Sequence, residues 1–227
     1  IGTKRMIPSQ LHLLDEMFPG TFLNRDPRLN KGLIAPRSPC PVLLGIRAES
    51  SEEAKSAWQW LSTQEGIEEH EDTMLWRTNQ ACDDHIESSI VAVLLKNPII
   101  REKGHCSVQT NKGEVVAFAE GGYVNKLLQK CVEGDEIEFI ALKFEGFYHL
   151  ERIRLLKPVL RNKKRPLCEC GVRMKSKGVG QLVKCPECKT TTEVQWIGSK
   201  VGSIDWVEPA GDRRRHLAAP LSRMQKS

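Results

Sequence analysis

The chain has 227 residues, 40% hydrophobic and 28% charged, with a formal net charge of +5 and eight cysteines. That length has room for two or three small domains with modest cores, and no apolar run approaches the roughly 18 residues of a membrane span. Without such a run or a signal peptide, the expectation is a soluble cytoplasmic protein with no membrane partner.

The charge is unevenly spread: residues 151–227 carry 18 Lys and Arg against 7 Asp and Glu, while residues 1–150 carry 16 against 22. A basic half favours an anionic partner such as a phosphate backbone, with a solvated basic surface as the plainer alternative. Because the first residue is Ile1, the chain is read as a fragment of a larger protein.

In chain order, residues 1–40 are broken by Pro8, Pro19, Gly20, Pro27, Gly32, Pro36 and Pro39. They leave space for one short helix at 9–17, with Leu11, Leu14 and Met17 on one face. Val42, Leu43, Leu44, Gly45 and Ile46 read as a buried strand. Ser50 and Glu53 then form a capping box that opens a helix carrying Ala54, Ala57, Trp58 and Leu61 at helical spacing. Trp58 and Trp60 lie on different faces, one expected in the core and one partly exposed. With a second strand at 73–77, this predicts a βαβ-like unit and a ferredoxin-like α+β domain over 1–87, its start being the tail of a missing domain.

Arg77, Thr78, Asn79, Gln80, Ala81, Cys82, Asp83, Asp84 and His85 follow, almost without an apolar side chain. Such a polar run after a strand either binds something or caps a helix, with Asp83 or Asp84 as N-cap.

Residues 88–158 read as an OB-fold. The order is a strand at 89–95, a hairpin of strands 105–110 and 114–119 through Asn111, Lys112 and Gly113, a helix at 123–130, and strands at 136–142 and 147–155. Phe144, Phe147 and Tyr148 could stack on bases or fill the barrel. Residues 157–165 read as a basic linker with Lys157, Arg161, Lys163, Lys164 and Arg165.

Cys168 and Cys170, then fourteen residues, then Cys185 and Cys188, give two thiol pairs spaced for one tetrahedral ion, each Zn–S bond being about 2.3 Å. The first knuckle, C-x-C, is one residue shorter than the usual C-x2-C. Gly171 follows the first pair, and Gly178 and Gly180 break the arms where a hairpin must reverse. Four thiolates leave no open coordination position, so the Zn2+ expected over 159–192 is structural. Cys40, Cys82, Cys106 and Cys131 have no such spacing and read as buried thiols. Residues 193–227 read as a basic tail, with a strand at 190–196 before it and Arg213, Arg214, Arg215 and His216 as phosphate contacts.

The carrying motifs are Phe18 to Asn24, Pro39 to Arg47, Arg77 to Gln80 with Asp83 and His85, Cys168 to Cys188 with Arg173 to Ser176, and Arg214 to Leu217 through Pro220 and Leu221. In this order they resemble the archaeal tRNA(Ile) 2-agmatinylcytidine synthetase, or agmatidine synthase, family. The resemblance implies an ATP-dependent ligase that joins agmatine to C2 of the wobble cytidine in tRNA(Ile) with a CAU anticodon, for AUA decoding. It further implies an amino-terminal kinase-like module, ferredoxin-like and OB domains, and a zinc ribbon. The chain departs from the pattern in having no P-loop and no early Asp-Asp motif, and in carrying Ala81 and Cys82 where relatives have glycine and threonine.

ATP and Mg2+ are therefore expected only with the kinase-like module, on the same polypeptide or as a separately encoded subunit. The RNA or substrate contacts expected in this chain are Arg77, Thr78, Asn79, Gln80, Asp83, His85, Lys163, Lys164, Arg165, Arg213, Arg214, Arg215 and His216. Within that set Arg77 meets phosphate, and Asn79 and Gln80 meet base or backbone edges. The alternatives are a non-catalytic OB-fold and zinc-ribbon nucleic-acid-binding protein, and a zinc-stabilised protein adaptor.

Overall fold

A computed structural model of the protein describes residues 11–26, 31–36, 40–176, 178, 182–193 and 196–224, the side chains of Lys163 and Met224 excepted. They fall into two units: Ile1–Glu87 with Glu120–Val124 and Glu208–Ser227, and Ser88–Ala119 with Asn125–Val207.

In the first unit, helix α1 (Leu11–Met17) buries Leu11 and Leu14 but leaves Met17 exposed, so the apolar face expected from the sequence ends one turn early. Pro19 and Gly20 stop the helix, and the motif after them folds into a polar knot. The Thr21 hydroxyl donates to Phe18 O, and Asn24 Nδ2 donates to Thr21 Oγ1 (2.7 Å) and Asp15 Oδ1 (3.1 Å). Strand β1 (Thr21–Phe22) is thereby held next to β4 (Arg47–Ala48), and β2 (Arg25–Asp26) pairs with β3 (Lys31–Gly32).

The capping box behaves as read at its first half. Ser50 Oγ accepts from Glu53 N at 3.1 Å, opening α2 (Ser51–Leu61). The Glu53 carboxylate accepts instead from Gly20 N at 2.9 Å, tying the helix start to the turn after α1. Ala57 and Leu61 then pack with Leu11, Leu14 and Ile34. Both tryptophans are half-buried, Trp60 against Phe18 and Trp58 edge-on to His70, so neither is the core residue expected of one of them.

Two expected strands are absent. Residues 42–46 are irregular, with Val42 54% exposed while Leu44 and Ile46 lean on the α2 cluster. Residues 73–77 are irregular and exposed, Trp76 by 73%. A strand needs a neighbour bonded along its length, and among the described residues neither segment forms a ladder, Gly45 N donating singly to Ile34 O (2.9 Å). The βαβ unit is therefore not formed there, and apolar content alone misreads these runs.

The second unit is built on a closed barrel. Its strands are β5 (Ile90–Val93), β7 (Cys106–Thr110), β8 (Gly113–Ala117), β9 (Glu136–Phe144) and β10 (Phe147–Lys157), with the short edge strand β6 (Ile99–Ile100) beside β7. The order is β5-β9-β10-β8-β7, antiparallel except for the parallel β10–β8 pair. A Leu94–Thr110 bridge and the bond from Leu95 N to Gln109 O (2.8 Å) close β5 onto β7. Alternation then works as it must: Val115, Ala117, Ile137, Phe139 and Ile153 are buried inside.

Helix α3 (Tyr123–Lys130) buries Leu127 and Leu128, and Asn125 Nδ2 donates to Ala117 O (2.8 Å) and Gly104 O (3.1 Å).

Residues 157–165 are not a solvated linker. Strand β11 (Arg161–Lys164) pairs with β15 (Ile197–Ser199), and Gly198 approaches so closely that a Cβ there would lie 2.2 Å from Arg161 O. Arg161 itself turns inward onto the fully buried Asp135. The expected basic tail is likewise taken up: beyond β15, strand β16 (Ile204–Val207) joins the barrel on β10, and Trp206 there sits under the Arg154 guanidinium, 4.9 Å away. Apolar residues at 197, 204 and 206 favour an order that a charge count does not register. Of the strand expected at 190–196, only β14 (Thr191–Thr192) forms, and residues 194–195 lie outside the described ones.

Candidate metal centre and nucleic-acid interface

The ribbon is three short antiparallel strands, β12 (Lys175–Ser176), β13 (Val183–Lys184) and β14. Its apolar content is small: Met174, Val183 and Val172 pack against Cys168 and Cys185. Two knuckles meet at one end. The first closes by Cys168 N donating to Val172 O (2.9 Å) and Gly171 N to Cys168 O (2.8 Å), with Gly171 at φ +84°, a conformation a side chain would strain. That turn is how C-x-C does the work of the longer spacing. The second closes by Cys185 N donating to Thr190 O (2.9 Å). Gly180, expected at the hairpin reversal, lies outside the described residues.

The Sγ atoms of Cys168, Cys170, Cys185 and Cys188 all lie within 4.8 Å of one another. Sulfurs 2.3 Å from one ion at tetrahedral corners stand about 3.8 Å apart. The Cys168–Cys188, Cys170–Cys185 and Cys170–Cys188 separations are 3.3, 3.5 and 3.8 Å. The donor set therefore fits Zn2+, which would crosslink the two knuckles.

The thiols differ in readiness. Hydrogen bonding from the Thr190 hydroxyl helps hold Cys188 down to about 6, whereas burial pushes Cys131 up to about 12 and Cys106 up to about 11. Cys168, a ligand of the same cluster, is pushed up to about 12, a backbone hydrogen bond at Cys170 lowering it while hydrogen bonding with Cys188 and burial raise it, so metal binding at this cluster has to displace a proton. Of the cysteines outside the ribbon, Cys106 and Cys131 are buried as expected, Cys40 is half-buried, and Cys82 is exposed.

The first unit brings together two segments that are far apart in the chain. Ala81 N donates to His216 O (2.8 Å), Asp83 N to Leu217 O (2.9 Å), and Ala219 N to Asp83 Oδ1 (2.7 Å). Asp83 thus ties the tail to the loop and is not a helix cap. Arg223 fastens the junction: it pairs with both oxygens of Glu49, donates to Ala81 O, and lies 4.3 Å over the Phe22 ring. Glu208 accepts from Arg214 and from Leu221 N (2.9 Å), ahead of the short helix α4 (Leu221–Met224). Arg47 Nε donates to Gln80 Oε1 at 2.9 Å, and burial pushes the Arg47 guanidinium below its usual value.

The site residues read from the sequence therefore divide. Arg77, Thr78, Asn79, Arg213, Arg215 and His216 are exposed along the two segments, and Lys164 and Arg165 are exposed by the ribbon. Arg214, with 5% of its side chain exposed, serves the Glu208 pair, and Gln80 is engaged by Arg47. His85 is half-buried, and the Lys163 side chain lies outside the described residues. Of the three adjacent arginines, the middle one is turned in and the outer two are exposed.

Sequence reading missed Glu49, Glu208 and Arg223, because lone charges carry no periodic or spacing signal. Replacing Arg223 with Ala is expected to loosen residues 213–223 from the loop. The loss of a charge-assisted pair and a cation–π contact is worth about 1–2 kcal/mol, hence about a tenfold rise in tail cleavage under limited proteolysis. Unchanged cleavage would show that the junction does not depend on Arg223.

Exposed cations and amides on adjoining segments can hold a phosphodiester and read an edge beside it. Among the described residues the four cysteines are the one cluster suited to a metal ion.

The chain is similar to known proteins over nearly its whole length. Residues 1–85 match the family model described as the TiaS FLD domain, and residues 165–200 match the TiaS C-terminal zinc ribbon domain. The isoleucine-tRNA 2-agmatinylcytidine synthetase TiaS of Cenarchaeum symbiosum is 28% identical over 100% of this chain and 56% of its own length. That of Methanococcus voltae is 31% identical over 97% of this chain and 47% of its own length. The crystal structure of a TiaS complex with its isoleucine tRNA and ATP superposes with a TM-score of 0.70 at 27% identity, covering 99% of this chain and 57% of that one. The chain thus spans about half the length of the relatives it matches.

Proposed function

The chain belongs to the TiaS family, and from that premise we propose that it is the tRNA-handling portion of an agmatidine-forming synthetase. The complete enzyme uses ATP to join agmatine to C2 of the wobble cytidine in tRNA(Ile) with a CAU anticodon. The observation that carries this reading is the tie between the loop at 81–83, which continues the exposed Arg77, Thr78 and Asn79, and the tail at 216–219, which continues the exposed Arg213, Arg215 and His216, in a chain that also matches the family's zinc ribbon. Relatives solved with the isoleucine tRNA and ATP, and with that tRNA, AMPCPP and agmatine, support it.

In this reading Arg77 meets a phosphate and Asn79 a base or backbone edge, while Arg213, Arg215, His216, Lys164 and Arg165 track the RNA backbone. Gln80 acts through Arg47, and Asp83 positions the tail. The barrel, with a helix between its third and fourth strands and a parallel pairing of the third with the fifth, is read as an OB-fold. Zn2+ supplies structure to the ribbon. ATP and Mg2+ act with a kinase-like portion, on the same polypeptide or on a separate subunit.

The test incubates the chain, alone and with a kinase-like TiaS portion, with ATP, labelled agmatine and tRNA(Ile). Salt-dependent tRNA binding alone and incorporation with the added portion are expected. Salt-dependent binding with no incorporation in either case favours a non-catalytic OB-fold and zinc-ribbon module, and no RNA retention, with little salt dependence, favours a protein adaptor. Arg77→Ala is expected to leave folding intact, since the side chain is exposed, and to lower agmatidine formation about tenfold or more, as loss of a charge-assisted phosphate contact should. Unchanged turnover would remove Arg77 from the site.

A further inference from the structure

We propose that the outer face of the barrel at its β9–β10 hairpin is a stacking platform for an unpaired nucleobase, with Phe144 as the open ring. The proposal rests on the reading that the chain handles RNA, and adds where an unpaired base is held.

Strand register fixes the face. Phe144 lies directly opposite Phe147, and Leu142 opposite His149. On the parallel neighbour, Glu114 lies beside Phe147 and Val116 beside His149. Val115 and Ala117, the alternate residues of β8, are buried, so this row points outward. Tyr148, one residue out of step, meets the buried Phe139 at 5.7 Å.

The rings are ordered rather than scattered. Phe144 and Phe147 are stacked, 5.4 Å apart and 17° from parallel. Phe147 stacks on Phe144 and His149 lies tilted to it at 6.3 Å, yet Phe144 remains 45% exposed, which leaves ring surface for a further planar group. Behind the pair, His149 meets Phe118 edge-on at 4.5 Å, and Phe118 meets His105 at 4.9 Å. This edge-to-face chain stiffens the row and reduces the ordering cost of binding.

A cation accompanies the rings. Arg101 is held by Ser107 Oγ (2.8 Å) and by Glu114, the residue beside Phe147, with 57% of its side chain still exposed. Lys112, in the neighbouring hairpin turn, is exposed, and Glu145 is the opposing charge at the tip. A supported ring on a face that also carries a fixed guanidinium matches a base with its phosphate, the pairing used by single-strand binders. An apolar protein partner would not need the guanidinium, and a relative solved with its isoleucine tRNA covers 99% of this chain.

The experiment compares parent, Phe144→Ala and Phe144→Trp forms of this chain, zinc-loaded, on two probes: an oligouridylate of about ten nucleotides and a blunt RNA duplex. Phe144→Ala is expected to weaken single-strand binding roughly 5- to 100-fold and to leave duplex binding unchanged, while Phe144→Trp restores the parent affinity. Equal single-strand affinity for parent and Phe144→Ala overturns the platform and leaves the tRNA-handling reading intact. A parent chain that binds no RNA overturns both. A change of oligomeric state in Phe144→Ala without a change in RNA affinity marks the row as a protein contact and also overturns the platform.

Discussion

Chelating zinc at neutral pH, or replacing Cys185 with Ser, is expected to unfold the ribbon while leaving the barrel folded. The ribbon cannot hold itself: among its described residues only Met174, Val172 and Val183 add apolar packing to Cys168 and Cys185. Structural zinc contributes about 10–16 kcal/mol in small thiolate-bound domains near pH 7, more than any other single term available to a segment of this size. The barrel, with its own closed sheet and buried interior, has no such dependence. Hydrogen exchange checks this directly, protection at residues 167–176 and 182–192 being lost and that of β7, β8 and β9 kept. One zinc per chain by elemental analysis is part of the same expectation. Protons compete with the ion for thiolate, so affinity falls as pH falls.

Asp135→Asn should be strongly damaging to the barrel itself. Asp135 is fully buried, and each of its oxygens is used twice. Oδ1 accepts from Val159 N (2.9 Å) and Arg161 Nη1 (2.7 Å), and Oδ2 from Val132 N (2.9 Å) and Arg161 Nη2 (2.6 Å). The bidentate pair holds the start of β11 on the turn before β9, and hydrogen bonding to Asp135 raises the Arg161 guanidinium above its usual value.

Removing the carboxylate charge strands Arg161, 12% exposed, without a counterion. Breaking one side of a buried pair costs about 3–5 kcal/mol, which at this chain length lowers Tm by about 6–20 °C. Glu136→Gln is the control: its partner Lys157 is 77% exposed, and such a surface pair contributes about 0–1 kcal/mol. Calorimetry giving equal losses for the two variants would contradict the buried-pair account.

What the sequence made legible follows from how local each signal is. Helix α3 begins and ends at the residues read, because its apolar spacing and flanking glycines are near neighbours. The four ligands were legible because metal spacing is itself a sequence pattern, and the sulfur separations fit a tetrahedral ion. Residues 42–46 and 73–77 were misread because apolar content shows preference for cover but not whether a partner strand exists to provide it.

Arg214 and Arg161 were misread in the opposite sense. Clustered basic residues look solvent-facing until their carboxylate partner, the half-buried Glu208 or the fully buried Asp135, is found outside the basic run. Such pairings join positions separated by 6 and 26 residues, and no periodicity announces them. The tail's return onto Ala81 and Asp83, across 136 residues in the case of the Asp83–Ala219 bond, is of the same kind.

The most direct test of a zinc-built, RNA-holding chain is a titration of labelled tRNA(Ile) with the protein before and after chelation, repeated at two salt concentrations. The account predicts binding that weakens as salt rises and falls sharply once zinc is removed. Equal affinity with and without zinc, or no affinity in either state, would contradict it.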